Sequence, residues 1–184
     1  MKNTFYLLLF WLGLSLEVPA QAIWSADFPF AGELPSNEMT ELYQDEDGFV
    51  WIGTTNGLSR YDGYRLQTFQ TDYLHPNRLT HNHITCIAED SAYLWIGTRK
   101  GLNLIDKRTY RITTPGEAPL QTAHIRSLCS DGKSRIWIAL NDRLLESHFP
   151  YHEYTSINLP SPNGKPSYIN SFSVSYTHLR AHET

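Results

Sequence analysis

Cysteine is nearly absent: among 184 residues there are only Cys86 and Cys129, far below the density that holds a small secreted scaffold together by disulfides. One bridge is permitted in an oxidising compartment, and two thiols acting as small hydrophobes are the competing reading, so the pairing stays open. Positive charge is also scarce, with 15 Lys and Arg against 19 Asp and Glu and a formal net charge of -4. No basic run offers a phosphate footprint, which argues against nucleic acid as a partner. A nucleophile elbow, a phosphate loop, a zinc-protease motif and paired catalytic carboxylates are missing as well. No catalytic residue, cofactor or metal is therefore assigned, and the segment is not expected to be an enzyme.

Long apolar runs are confined to the start of the chain. Lys2 supplies a positive end, Phe5 to Leu16 is nearly unbroken apolar sequence, and Ala20-Gln21-Ala22 is a small-x-small cleavage pattern. Residues 1–22 are read as a signal peptide, with the mature chain starting at Ile23. An uncleaved anchor is the alternative, but spanning a bilayer takes roughly 20 apolar residues. The reading places the mature segment outside the cytoplasm.

What the sequence has is a repeat. Trp51-Ile52-Gly53-Thr54 returns 44 residues later as Trp95-Ile96-Gly97-Thr98, and after 42 more as the worn copy Trp137-Ile138-Ala139-Leu140. Seven positions after each Trp stands Leu58, Leu102 or Leu144, preceded by Gly57, Gly101 or, breaking the pattern, Arg143. Upstream, Leu42, Ile87 and Leu128 keep register, as do Met39, Ile84 and Ile125 three residues before them. This period matches one four-stranded propeller blade.

Each copy reads as four short strands joined by tight turns, which makes neighbouring strands antiparallel. The second strand is apolar on both faces, so its sheet must be covered on both sides. Stacking sheets around an axis achieves this, with Gly53 and Gly97 admitting the next sheet's side chains and the Trp residues filling the gaps. Helical solenoids are excluded by strand content, and a β-helix by repeat length.

The expected fold is all-β, a partial β-propeller of about three to four four-stranded antiparallel blades, unable to close as given. Residues 23–38 form a lead-in strand that could complete the last blade of a ring. Blades follow at 39–83, 84–124 and 125–159, and 160–173 begins a fourth blade or a linker. Residues 174–184 read as a non-native tail similar to translated adaptor sequence, so a metal reading of His178 and His182 carries no weight.

The stretch from Tyr43 to Gly63, and more loosely that from Glu89 to Asp106, resembles the two-component regulator propeller repeat. In that family such repeats build periplasmic propellers ahead of a membrane helix and a cytoplasmic histidine kinase. Many members are hybrid sensors of gut Bacteroidetes that respond to glycan fragments. The resemblance implies a ligand-sensing region on the periplasmic side of the inner membrane. Its implied partners are an oligosaccharide, the remaining blades and kinase region of a longer receptor, and a second copy. A propeller enzyme (a lyase or quinone-dependent dehydrogenase) and a secreted glycan-binding protein are the alternatives.

Ligands of propellers gather where inter-blade connections meet the loops between second and third strands. Sugar recognition there would use amide, guanidinium and carboxylate groups against hydroxyls, with an aromatic ring as platform. The candidates are Asn56, Arg99, Lys100, Asn141, Tyr73 and His83. The pair His81 and His83 lacks the further ligands of a metal site, and the acidic loop at Asp45 reads as a charged hairpin tip. Trp51, Trp95 and Trp137, with Gly53, Gly57, Gly97 and Gly101, are assigned to the structural repeat.

Overall fold

A computed structural model describes residues 30–72 and 78–157. After a 3-10 turn at Ala31–Glu33 come twelve strands: β1 Met39–Gln44, β2 Val50–Thr54, β3 Gly57–Tyr61, β4 Leu66–Phe69, β5 Ile84–Glu89, β6 Tyr93–Thr98, β7 Gly101–Asp106, β8 Ile112–Thr113, β9 Ser127–Ser130, β10 Arg135–Ala139, β11 Leu144–His148 and β12 Tyr154–Ile157. They form three four-stranded antiparallel sheets, each in chain order. The first strands β1, β5 and β9 lie next to one another, so the sheets follow in radial succession as blades. Three sheets leave the ring open.

The hairpin after each second strand explains the Gly-Thr-x-x-Gly spacing. Thr54 is fully buried, donating its hydroxyl to the Gly57 carbonyl at 2.9 Å and accepting the Asn56 N–H at 3.1 Å. Thr98 does the same with the Gly101 carbonyl and the Lys100 N–H, at 2.7 and 3.1 Å. In the worn third copy Leu140 replaces this threonine, and the turn closes through the Leu140 N–H on the Arg143 carbonyl at 2.9 Å. The fourth-strand pairing of that blade is intact nonetheless.

Side chains alternate along the middle blade, as a strand's two-residue period requires. Ile87, Leu94, Ile96 and Ile105 enter one core with Trp51, Leu58, Phe69 and Ile84 of the first interface. Cys86, Ala88, Trp95, Leu102 and Leu104 enter a second core with Ile125, Leu128, Ile136 and Ile138. Burying one such aliphatic side chain stabilises by ~1.5–3 kcal/mol, so each interface outweighs any single polar contact across it. At Gly53 a methyl group would lie 2.8 Å from Cγ2 of Ile84, and at Gly97 2.9 Å from Cγ2 of Ile125. Glycine is what lets the next blade's first isoleucine seat against the second strand.

Exposure differs between registered positions of the described blades. Met39 and Leu42 of β1 are 63% and 66% exposed, whereas Ile84 and Ile87 in the same register of β5 are 0% and 6% exposed. The same apolar positions are core only where a preceding blade covers them.

Polar links also cross the interfaces. The Glu89 carboxylate, 6% exposed, pairs with Lys107 and accepts the Glu46 N–H at 3.1 Å and the Tyr43 hydroxyl at 3.3 Å. Arg60 has its guanidinium 4.7 Å from the Phe49 ring centroid and 4.2 Å from that of Tyr110 in the next blade. The acidic hairpin is more than a charged tip, because Asp45 accepts the Trp51 indole N–H at 2.7 Å and the Phe49 N–H at 2.8 Å. Trp51 also stacks on Phe69 at 5.8 Å, and Trp95 meets Tyr151 edge-on at 4.8 Å. Trp137 is half-buried, with the Arg135 guanidinium 5.3 Å from its ring.

One helix interrupts the strands. The segment α1, Ala118–Thr122, lies in the connection into the third blade and sends Leu120, fully buried, into the second core. Five residues are too few for a sequence period to register.

The two cysteines are not bridged. Cys86 is buried, and desolvation pushes its thiol up to about 12. Since the thiolate is the reactive form, alkylation of the folded chain at pH 8 is expected to spare Cys86 and to reach it only after denaturation. Mass mapping that finds Cys86 modified at native-state rates equal to those in urea would contradict this placement.

Candidate functional site

Two backbone rules bring distant residues to one end of the arc. Within a blade, the residue entering the first strand accepts from the hairpin after the second: Thr55 N–H on the Glu38 carbonyl and Arg99 N–H on that of His83, both at 3.1 Å. Between blades, the Gly101 N–H reaches the Ala123 carbonyl at 2.7 Å, and the Ile125 N–H reaches that of Thr98 at 3.0 Å. His124 is thus held from both sides against the Thr98-to-Gly101 hairpin, whose tip carries Arg99 and Lys100. His83 is tied to the same hairpin from its own blade.

The result is a cationic and imidazole cluster at the end that carries the hairpins after the second strands. His81, His83 and His124 are half-buried, while Arg99, Lys100 and Arg126 are exposed. Burial first, then the charges of Lys100 and Arg99, hold the His81 imidazole below its ordinary value. At His83 the causes are burial, Arg99 and His81, opposed by Glu38. At His124 they are burial, Arg126, Arg99 and His83. Each group's effect on the next shows that side chains far apart in sequence share one field.

Asn141 joins this cluster by accepting the Arg126 Nε–H at 2.7 Å. A groove of about 290 Å³ lies beside it, its lining including Pro119, Ala123, His124, Leu140, Asn141 and Arg143. Asp142 and Arg143 pair with each other at 2.8 Å and so add little net charge. Asn56 stands apart: its carbonyl accepts from Gln70 at 2.6 Å, its amide donates to the Pro35 carbonyl at 3.1 Å, and its side-chain oxygen accepts from Asn82 at 3.3 Å. Those bonds fasten the connection into the second blade. Tyr73 lies outside the described residues.

Of the sequence candidates, then, Arg99, Lys100, His83 and Asn141 share this end with His124 and Arg126, which sequence reading missed. A signal for the first of these existed. His83 and His124 each immediately precede the first registered isoleucine, Ile84 or Ile125. No group of three or more His, Cys, Asp or Glu placed to hold a metal ion is found among the described residues.

Depressed imidazole values make a pH prediction. The unfolded chain takes up protons as pH falls through about 6.5, before these native imidazoles do, so stability drops there. The carboxylates held low, among them Asp106 and Asp131, lose their contribution only around and below their usual value of 3.8 and do not mask this step. The melting temperature is expected to be flat between about pH 8 and 7 and to fall between about pH 7 and 5. A rise over that lower interval would contradict the environment assigned to His81, His83 and His124.

Fold and register define the class, an open arc of β-propeller blades. Within that class, residues 33–56 and 78–100 match the two-component regulator propeller family, and over those segments the chain carries its repeat. Among solved structures the chain is similar to the extracellular domain of the hybrid two component system BT4673 from B. thetaiotaomicron, with 26% identity and a TM-score of 0.59 over 75% of this chain and 18% of that one. It is also similar to the extracellular domain of the hybrid two component system BT3049 from the same organism, with 22% identity and a TM-score of 0.59 over 70% of this chain and 20% of that one. A virginiamycin B lyase from Staphylococcus aureus, 15% identical with a TM-score of 0.52 over 71% of this chain and 45% of that one, shares the fold alone. No curated protein matches in sequence. The chain therefore spans 18–20% of the two extracellular domains it resembles. No helix among the described residues is long and apolar enough to cross a membrane.

Proposed function

We propose that this chain is part of the sensor propeller of a two-component receptor, exported to the periplasmic side of the inner membrane, where it binds oligosaccharide fragments. The observation that carries the reading is the likeness to the BT4673 extracellular domain at 26% identity, together with the repeat matched in two registers. Its binding groups are those at the hairpin end: guanidinium, ammonium, imidazole and amide donors suited to sugar hydroxyls and acids. The further blades and a kinase region of a longer polypeptide, and a second copy across the membrane face, complete the signalling unit.

Two measurements test this. Alkaline phosphatase fused after residue 157 is active only if the chain is exported, and a cytoplasmic, inactive fusion overturns the localisation. A thermal-shift panel of oligosaccharides on the intact chain should give a rise in melting temperature with particular oligomers but not with their monosaccharides. A chain that folds and responds to none of them overturns the glycan reading.

A further inference from the structure

The net charge of the chain is -4, yet the hairpin end gathers Arg99, Lys100, Arg126 and the imidazoles of His81, His83 and His124. The Glu38 carboxylate acts on His83, and Asp142 and Arg143, which border the groove beside His124, are paired with each other. Acidic groups collect instead at the opposite end, where Asp45, Asp90 and Asp131 cap the hairpins between first and second strands. Arg99 and Lys100 make no ion pair among the described residues, although they sit on a hairpin fixed by the buried Thr98 hydroxyl and by two backbone bonds from the following blade. Cations held on a rigid tip without acid partners keep their field for an incoming anion. Guanidinium and imidazole also offer several directed N–H donors for a carboxylate or sulfate.

We infer that the ligand taken at this end is an acidic saccharide, whose carboxylate or sulfate group is held between Arg99, Lys100, His83 and His124. The inference rests on the oligosaccharide reading above and narrows its ligand class. Asn141, fixed by Arg126, borders the groove beside His124 and would meet the neutral hydroxyls. An anion placed here favours the protonated imidazoles, so binding takes up protons and tightens as the solution becomes more acidic.

Titration calorimetry on the intact chain with trigalacturonate, its fully methyl-esterified neutral counterpart, a 6-sulfated galactotriose and inorganic sulfate tests this. At least one acidic trisaccharide is expected to bind ten or more times tighter than the ester, and several-fold tighter at pH 6 than at pH 7.5. Which one does so identifies carboxylate or sulfate as the group read. Arg99→Gln and Lys100→Gln, both on an exposed tip and checked for unchanged circular dichroism, should each lose tenfold or more of that binding and lose less of the ester's, so that the preference for acid over ester falls. Equal affinity for ester and acid overturns the acidic class but leaves the oligosaccharide reading standing. Binding of none of the three trisaccharides overturns both, and sulfate binding as tightly as the trisaccharides means an adventitious ion only.

Discussion

Replacing Asp90 by alanine is expected to destabilise the chain by about 3–5 kcal/mol, the largest effect of any single side-chain removal described here. Asp90 is 1% exposed and accepts four hydrogen bonds. The Ala92 and Tyr93 N–H groups reach one oxygen at 2.6 and 2.8 Å, while the Trp95 indole and the Tyr151 hydroxyl reach the other at 2.5 and 2.7 Å. The first three bonds shape the hairpin into β6 and orient the core tryptophan, and the fourth comes from the neighbouring blade. Alanine would leave four donors without an acceptor, and burying each unmatched donor costs roughly 1–3 kcal/mol before relaxation. Asparagine is no remedy, because its NH2 group would face donors on one side. Asp45→Ala, which strands two donors within a single blade, should cost less, about 1–2 kcal/mol. Tyr151→Phe should also cost about 1–2 kcal/mol, and its effect should fall short of additivity with Asp90→Ala because the two share one bond. Denaturant melts followed by tryptophan fluorescence measure all of these. A loss below about 1 kcal/mol for Asp90→Ala would mean that the carboxylate is not the acceptor that organises this interface.

Gly101→Ala is expected to be nearly as damaging for a different reason. The residue sits at φ 104°, a region that side-chain-bearing residues rarely occupy, and a methyl group there would stand 2.5 Å from the Gln121 carbonyl oxygen. That oxygen belongs to the backbone of α1, two residues before the Ala123 carbonyl that accepts the Gly101 N–H, so it cannot swing aside. Crowding accounts for roughly 1–3 kcal/mol and the dihedral for a further ~1–3 kcal/mol. Gly116→Ala, with nothing within 4 Å of the added carbon and no special dihedral, is the control expected to be neutral. If both variants melt together with the parent chain, the close docking of the third blade's connection onto the second blade's hairpin is wrong. The same substitution should also weaken the acidic-saccharide binding proposed above, since that docking positions His124 against the hairpin that carries Arg99.

The repeat explains why so much of the fold could be read in advance. Gly53-Thr54 and Gly97-Thr98 are local devices: a buried hydroxyl closes a hairpin three residues wide, and a bare α-carbon admits a neighbour. Such devices leave a fixed spacing. Asp45, Asp90 and Asp131 also fall five or six residues before their tryptophans, a register that marks them as hairpin caps once the pairing is seen. Read one at a time, they pass for a solvated acidic turn. His124 and Arg126 escaped notice because they are ordinary connection residues until the blade before them is in place. Asn56, equally polar and equally exposed in sequence terms, is spent on Pro35, Gln70 and Asn82.

Strand content, antiparallel order and the alternation of core positions follow from residues within a few positions of one another, which is why a linear text carries them. Whether a registered apolar residue is core, as Ile84 is and Met39 is not, depends on the sheet that lies across from it. The gathering of scattered cations at one end likewise depends on how each blade is rotated against the last, and that rotation is set by residues 28 to 31 positions apart, such as Ile125 against Gly97 and Ile84 against Gly53.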